Sequence, residues 1–208
     1  MKTFLFYLLF IITITANSQI TYKKGNYIFY KAEKSNKTKG TKFLLKKFVH
    51  NGVITTFYNK SYETANINID LTTNNFVSKI NKDSLFVYNN LKKVVIDGDV
   101  FEKRGDKIFR VISKGKKISL YKYSFKEKTK PRIDKYSKEI KSPSKWKLRE
   151  EYFYEKNGNG LKKIKLKKRN FLKLLKSNKY VKEFIKKESL SIKKDKDLEK
   201  ILNYYNNL

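Results

Sequence analysis

Apolar and polar residues alternate along most of the chain between residues 19 and 166, in short runs rich in Phe, Tyr, Val, Ile and Thr. A period of two is typical of β-strands, because successive side chains point to opposite faces of a sheet. The alternation is strictest in Asn66–Leu71, where Ile67, Ile69 and Leu71 would share one face. The pattern predicts strands at Tyr27–Tyr30, Phe43–His50, Val53–Asn59, Asn66–Leu71, Leu85–Tyr88, Val94–Ile96, Val100–Lys103, Ile108–Ile112, Ile118–Phe125, Trp146–Tyr154 and Leu161–Leu166.

Short polar segments between these runs predict the turns. Asn51-Gly52 lies between two alternating runs and predicts a two-residue hairpin, since a type I′ turn needs positive φ at both central residues. Gly105, Gly115 and Gly158 mark further tight turns, as expected of an antiparallel meander. Residues 126–144 are highly charged and contain proline, so we expect them to form a mobile basic loop.

The apolar period changes to about 3.6 residues from residue 167 onward, which predicts helices. Their apolar faces would be Phe171, Leu172, Leu174 and Leu175, then Val181, Phe184 and Ile185, then Leu198, Ile201, Leu202 and Tyr205. Asn178 and Asp195 are the predicted N-caps. The predicted fold class is α+β: a predominantly antiparallel β-meander over residues 19–166, forming an open curved sheet or partial barrel, and a short helical tail over residues 167–208 packed on the sheet.

The first eighteen residues have the pattern of a secretory signal peptide. Lys2 provides a positive start, a short apolar run follows, and small residues precede a predicted cleavage between Ser18 and Gln19. No later stretch is apolar enough to span a membrane. We therefore expect an exported protein in the periplasm, at the cell surface or outside the cell.

Composition restricts the chemistry that the chain can support. Cysteine is absent, which excludes disulfides and thiol catalysis, and His50 is the only histidine. Asp97-Gly98-Asp99 lacks the remaining ligands of a calcium loop and is interpreted as a turn. Glu150 and Glu151 are adjacent, so on a strand they would point to opposite faces and could not act as a pair. No catalytic, metal-binding or cofactor-binding residue is assigned, and no enzymatic activity is predicted.

Positive charge is the strongest compositional feature. Without residues 1–18 the formal net charge is +30, and twelve Lys or Arg residues stand between Leu161 and Lys187 against one acid, Glu183. One interpretation is the compositional drift of a Lys- and Asn-rich proteome, and the other is a surface that collects anionic partners. No motif for specific DNA reading is present. The candidate polyanion-binding residues are Lys162, Lys163, Lys165, Lys167, Lys168 and Arg169.

The chain resembles small secreted proteins of low-GC Gram-negative bacteria whose activity is not established. The resemblance rests on ANSQ (16–19), NINIDLTTNNF (66–76), VVIDGDVFEKRGDKIFRVISKGKKISLYKYS (94–124) and DLEKILNYYN (197–206). It implies export and no particular reaction.

Three functions fit the sequence. The first is a non-enzymatic binding or structural module of the cell envelope. The second is a binder of lipopolysaccharide, acidic polysaccharide or extracellular DNA through a Lys-rich face. The third is a small-lipid carrier with an apolar cavity. A concentrated positive surface would favour the second function, a hollow interior the third, and a filled core with evenly spread charge the first.

Overall fold

The computed structural model describes residues 21–24, 27–31, 38–82 and 84–208, with side chains from residue 38 onward. Its strands are β1 Thr21–Lys24, β2 Tyr27–Lys31, β3 Thr38–Lys39, β4 Gly52–Thr56, β5 Ser61–Thr64, β6 Ile67–Asp70, β7 Asn75–Lys79, β8 Ser84–Tyr88, β9 Leu91–Ile96, β10 Asp99–Arg104, β11 Lys107–Ser113, β12 Ile118–Lys128, β13 Arg132–Ile133, β14 Ile140–Ser142, β15 Ser144–Lys156 and β16 Lys162–Ile164. Its helices are α1 Lys168–Leu174, α2 Lys179–Lys187 and α3 Asp195–Asn207.

The strands form two main sheets, neither of which closes on itself. The smaller sheet has the order β1-β2-β8-β7-β6, and the larger has the order β16-β15-β12-β11-β10-β9-β4-β5. Every pair in these two sheets is antiparallel, while β3 adds a short parallel contact to β15. The predicted α+β class, with a dominant antiparallel meander and C-terminal helices, is confirmed.

Tight turns produce the meander of the larger sheet. Asp97 and Gly98 both have positive φ, 51° and 83°, as a two-residue hairpin between β9 and β10 requires. Gly105, with φ of 61°, turns the chain from β10 into β11. The interpretation of Asp97-Gly98-Asp99 as a turn is therefore confirmed.

Three packed cores are found in the described residues, and the two larger ones join strands of the larger sheet to other elements. In the first core, apolar residues of β4, β9, β10 and β11 pack against Ile67, Ile69 and Phe76 of the smaller sheet. In the second, Ile112, Ile118 and Leu120 of the larger sheet pack against helices. The helical members of that second core include Phe171, Leu175, Val181, Leu198, Ile201, Leu202 and Tyr205, all buried.

The strand predicted at Phe43–His50 does not form. The segment 41–50 is irregular and makes a single isolated bridge, Phe43 to Asp70. Main-chain hydrogen bonds join the segment to β6 and its flanks at Leu44, Lys42 and His50. The buried side chain of Asn68 adds to them: its Oδ1 accepts from the Leu45 amide at 3.0 Å, and its Nδ2 donates to the Leu45 carbonyl at 3.0 Å and to the Lys47 carbonyl at 3.4 Å. Strand β6 is consequently buried on both faces, whereas its alternation predicted one buried face.

The hairpin predicted at Asn51-Gly52 was also wrong. Gly52 begins β4, which pairs with β5 on one side and β9 on the other. A Cβ atom at Gly52 would lie 2.7 Å from the Val95 carbonyl oxygen and 2.9 Å from Cγ2 of Ile67. Position 52 therefore requires glycine because neighbouring strands approach it closely. The predicted need for a positive φ in a hairpin turn is not the reason.

Residues 126–144 form paired β-structure where a loop was predicted. Strands β12 and β15 stay in register out to the pair Lys128 and Trp146, and β13 and β14 form a two-stranded hairpin beyond them. We call residues 126–148 the arm. At its base the half-buried Lys126 donates to the carbonyls of Thr41 and Phe43, and burial lowers the pKa of this lysine.

Candidate functional site

The six candidate lysine and arginine residues lie in three consecutive local structures. Lys162 and Lys163 belong to β16, which pairs with Tyr152–Tyr154 of β15. Beyond β16 the chain makes a tight turn, in which the Lys167 amide donates to the Lys165 carbonyl at 2.8 Å. Lys168 and Arg169 begin α1. All six side chains are exposed: Lys162, Lys163, Lys165, Lys167, Lys168 and Arg169.

Apolar residues between these cations fix which way the segment faces. Ile164 and Leu166 pack against the core between sheet and helices, and Phe171 and Leu175 are fully buried in it. The intervening positively charged residues are therefore held toward solvent. We use the name cationic face for the twelve exposed residues that the chain places on β16, the following turn, α1, α2 and the segment between these helices; Lys163 among them lies on the side of the sheet opposite Ile164 and the helices. They are Lys162, Lys163, Lys165, Lys167, Lys168, Arg169, Lys173, Lys176, Lys179, Lys182, Lys186 and Lys187.

The cationic face has few opposing charges. Within the described residues, two of its members have a carboxylate within 4.0 Å: Lys163 with Glu151, Nζ to Oε1 at 2.5 Å, and Lys179 with Glu183 at 3.9 Å. Exposed pairs of this kind contribute about 0–1 kcal/mol, so they hold the lysines only weakly. Ten cations of the face are thus available to an external anion.

Several acids of the protein are instead engaged on the larger sheet. Asp195, at the start of α3, accepts from Nη1 of Arg110 at 2.8 Å, from the Tyr152 hydroxyl at 3.0 Å and from Lys122. Burial and the neighbouring Asp195 carboxylate raise the pKa of Tyr152. Nη2 of Arg110 also donates to Asp99 at 2.6 Å. This network ties α3 to the sheet.

Asp195 is the residue whose role the sequence did not reveal. It was predicted to be an N-cap, but the N-cap position of α3 is Lys194 and makes no side-chain capping bond. Its partners come from β11, β12 and β15, far away in the sequence, so local spacing gives no signal for them. The predicted N-cap at Asn178 is confirmed, since its side chain accepts from the Val181 amide.

Several concave spaces occur among the described residues. One of about 190 Å³ lies between the segment 41–50 and the larger sheet, with Leu44 and Leu45 in its apolar lining and Arg110 among its polar residues. Two larger ones lie elsewhere on the larger sheet, one of about 470 Å³ beside Phe57 and one of about 530 Å³ beside Val53. Small-molecule pockets usually measure about 300–1,000 Å³, and the small-lipid carrier stays a prediction.

The side chains considered for catalysis form one close pair, and the two adjacent glutamates lie on opposite sides of the sheet. His50 Nδ1 lies 2.5 Å from Oδ2 of Asp97. Glu150 lies 3.4 Å from Lys122 on the side of the sheet that carries Asp195, whereas Glu151 pairs with Lys163 on the other side. Among the residues that the structure describes, no group of three or more His, Asp or Glu side chains could hold a metal ion.

The fold and this surface define an α+β protein whose helical end presents a cationic face. Comparison with known proteins finds no matching family model, no matching curated protein and no matching solved structure. No helix in the described part of the chain has the length and apolar character that a membrane crossing requires. Ser18 and Gln19, the predicted cleavage site, lie outside the described residues.

Proposed function

We propose that the protein is an exported, non-enzymatic module of the cell envelope that binds an anionic polymer through its cationic face. The observation that supports this proposal is the set of twelve exposed cations between Leu161 and Lys187, of which ten have no carboxylate partner within the described residues. A solvent-facing surface usually mixes both signs of charge. Here the acids that would balance the face are engaged elsewhere, Asp195 among them.

The binding would be electrostatic, and its affinity would depend on the spacing of negative charges along the polymer. Each neutralised anionic group releases condensed counterions, which makes the affinity fall with salt. The face carries no element suited to reading bases, and its lysines act as point charges on flexible stems. We therefore expect affinity for acidic polysaccharide, lipopolysaccharide or DNA without sequence preference.

The test measures affinity for duplex DNA as a function of salt concentration. The site variant carries Lys165→Gln, Lys167→Gln and Lys168→Gln, which removes three exposed charges and leaves the ion pair of Lys163 with Glu151 intact. Three lost phosphate contacts should flatten the plot of log affinity against log salt by about two to three units, at roughly 0.9 per contact.

The matched control removes the same charge from exposed lysines outside the face, through Lys46→Gln, Lys79→Gln and Lys82→Gln. These positions lie on the segment 41–50 and at the end of β7, so the control should change the slope by less than one unit. Equal flattening by both triples would reduce the interaction to the bulk attraction of a +30 protein, and the proposal would then fail.

A further inference from the structure

The arm extends beyond the rest of the larger sheet. Ile118, at the start of β12, lies under the helices, while Lys128 at its other end pairs with Trp146 in the arm. Ten residues of strand separate these two ends, which corresponds to roughly 33 Å at about 3.3 Å per residue. The tip of the arm, residues 132–142, therefore lies beyond the part of β12 that packs on the second core and contacts Asp195 of α3.

The turn at the tip is internally ordered. Oδ1 of Asp134 accepts from the amides of Tyr136 and Ser137 at 2.8 and 2.9 Å, and the Asp134 amide donates to the Glu139 carbonyl at 2.8 Å. The hydrogen bond from Lys141 and those from the two amides lower the pKa of Asp134 to about 2. These hydrogen bonds order the turn around the Asp134 carboxylate.

This ordered turn presents apolar side chains to solvent. Ile133 and Ile140 are direct cross-strand partners and are 54% and 65% exposed. Direct partners have their side chains on the same face of a hairpin, so the two isoleucines form one apolar pair. Tyr136, at the end of the turn, is 95% exposed.

Cations surround the apolar tip along the length of the arm. Between Lys128 and Lys147 they outnumber the acids Asp134 and Glu139, and the local net charge is +6. All of these cations are exposed: Lys128, Lys130, Arg132, Lys135, Lys138, Lys141, Lys145 and Lys147. An apolar pair flanked by exposed cations complements a surface that is anionic outside and apolar beneath.

We infer that the tip of the arm docks on an anionic lipid surface, a role beyond the proposed binding of polymers by the cationic face. Ile133 and Ile140 enter the boundary between headgroups and acyl chains, and Tyr136 lies at the headgroup level, where tyrosine is enriched. The lysines contact anionic headgroups. A soluble polyanion would engage these lysines equally well but would gain nothing from the exposed isoleucine pair.

The experiment is co-sedimentation of the exported form of the protein with vesicles of phosphatidylcholine alone or with one-third phosphatidylglycerol. Ile133→Ser with Ile140→Ser should weaken binding to the anionic vesicles about tenfold or more, because two apolar side chains no longer enter the interface. The matched control, Phe57→Ser with Tyr58→Ser, removes two exposed aromatic residues at the β4–β5 turn and should leave binding unchanged. Thermal melting of each variant verifies that the fold is intact.

Two further measurements distinguish insertion of the tip into the bilayer from electrostatic attraction to its surface. Tyr136→Trp, with Trp146→Phe to remove the native fluorophore, should be quenched by brominated acyl chains, whereas Tyr58→Trp in the same background should not. The isoleucine double variant should also keep the DNA affinity of the wild type. Equal binding to neutral vesicles, unchanged vesicle binding by the isoleucine variant, or a parallel loss of DNA affinity would each overturn the inference.

Discussion

Replacement of Asn68 by leucine should loosen the segment 41–50 on the first core around Leu45 and Lys47. Asn68 is fully buried, and its amide group makes three hydrogen bonds to the main chain of Leu45 and Lys47, at 3.0, 3.0 and 3.4 Å. Leucine has the same number of side-chain heavy atoms but is larger, so this substitution removes the hydrogen bonds and opens no cavity. The lost hydrogen bonds and the crowding of a fully buried site both act against the folded state.

The expected cost follows from those three bonds. Each contributes about 1 kcal/mol net, and a buried group left without a partner costs about 1–3 kcal/mol. Leu45 is only partly buried and Lys47 is exposed, so water can reach part of the released main chain. We expect the free energy of unfolding to fall by about 2–3 kcal/mol. For a protein of this length, that corresponds to a decrease in melting temperature of about 4–12 °C.

Hydrogen exchange measures the local effect and denaturant unfolding the global one. The Leu44 and Leu45 amides donate to Ile69 and Asn68 in the wild type, so both should exchange faster in Asn68→Leu. Ser78→Ala is the control, because it removes a buried hydroxyl from the neighbouring β7 without touching the segment 41–50. Wild-type stability and unchanged exchange in Asn68→Leu would refute this account of how the segment is held.

Three other predictions concern the second core, an ion pair and the amino terminus. Leu202→Ala should lower the free energy of unfolding by about 2–5 kcal/mol, since the side chain is fully buried; a loss below about 0.5 kcal/mol in chemical denaturation would contradict this. The hydrogen bond from Arg104 lowers the pKa of Glu155 in the folded state. The ionised Glu155 therefore stabilises the fold at pH values above its unfolded-state pKa of about 4.3, and this stabilisation is lost as the pH falls through its folded-state pKa. The stability difference between the wild type and Glu155→Gln should accordingly shrink between about pH 6 and pH 3; a constant difference would be inconsistent with the ion pair. Mass spectrometry of the exported protein should find Gln19 as the first residue, and retained Met1 would exclude cleavage.

The parts of the fold that sequence predicted well are those governed by local periodicity. Alternating apolar residues and turn residues predicted β9, β10 and β11. The 3.6-residue period predicted α3 and its buried face, which consists of Leu198, Ile201, Leu202 and Tyr205. Each of these signals depends on residues close together in the chain. They were sufficient for the α+β class.

The features that the sequence did not predict have a different cause. Each of them depends on contacts with residues that are distant in the sequence. Position 52 has room only for glycine, because Val95 and Ile67 lie close to it. The buried Asn68 side chain is the hydrogen-bonding partner of the Leu45 and Lys47 carbonyls. Residues 126–144 of the arm gave no strand signal, because most of their side chains are charged and exposed and show no alternation of apolar and polar residues. The sequence was sufficient to predict that the candidate lysines are exposed, because apolar residues between them pack into the core. It could not predict that most of them lack a carboxylate partner, since that depends on which ion pairs form in the folded chain.

The position of α3 after all the strands has a consequence for biosynthesis. The Asn206 side chain accepts from the amides of Lys117 and Ile118 and donates to the Ile118 carbonyl, so the last turn of α3 completes the edge of a strand made some ninety residues earlier. Until α3 has left the ribosome, Ile112, Ile118 and Leu120 lack the part of their cover that α3 supplies. A chain arrested before α3 would display them to chaperones and proteases, and truncated products would be cleared before they could accumulate.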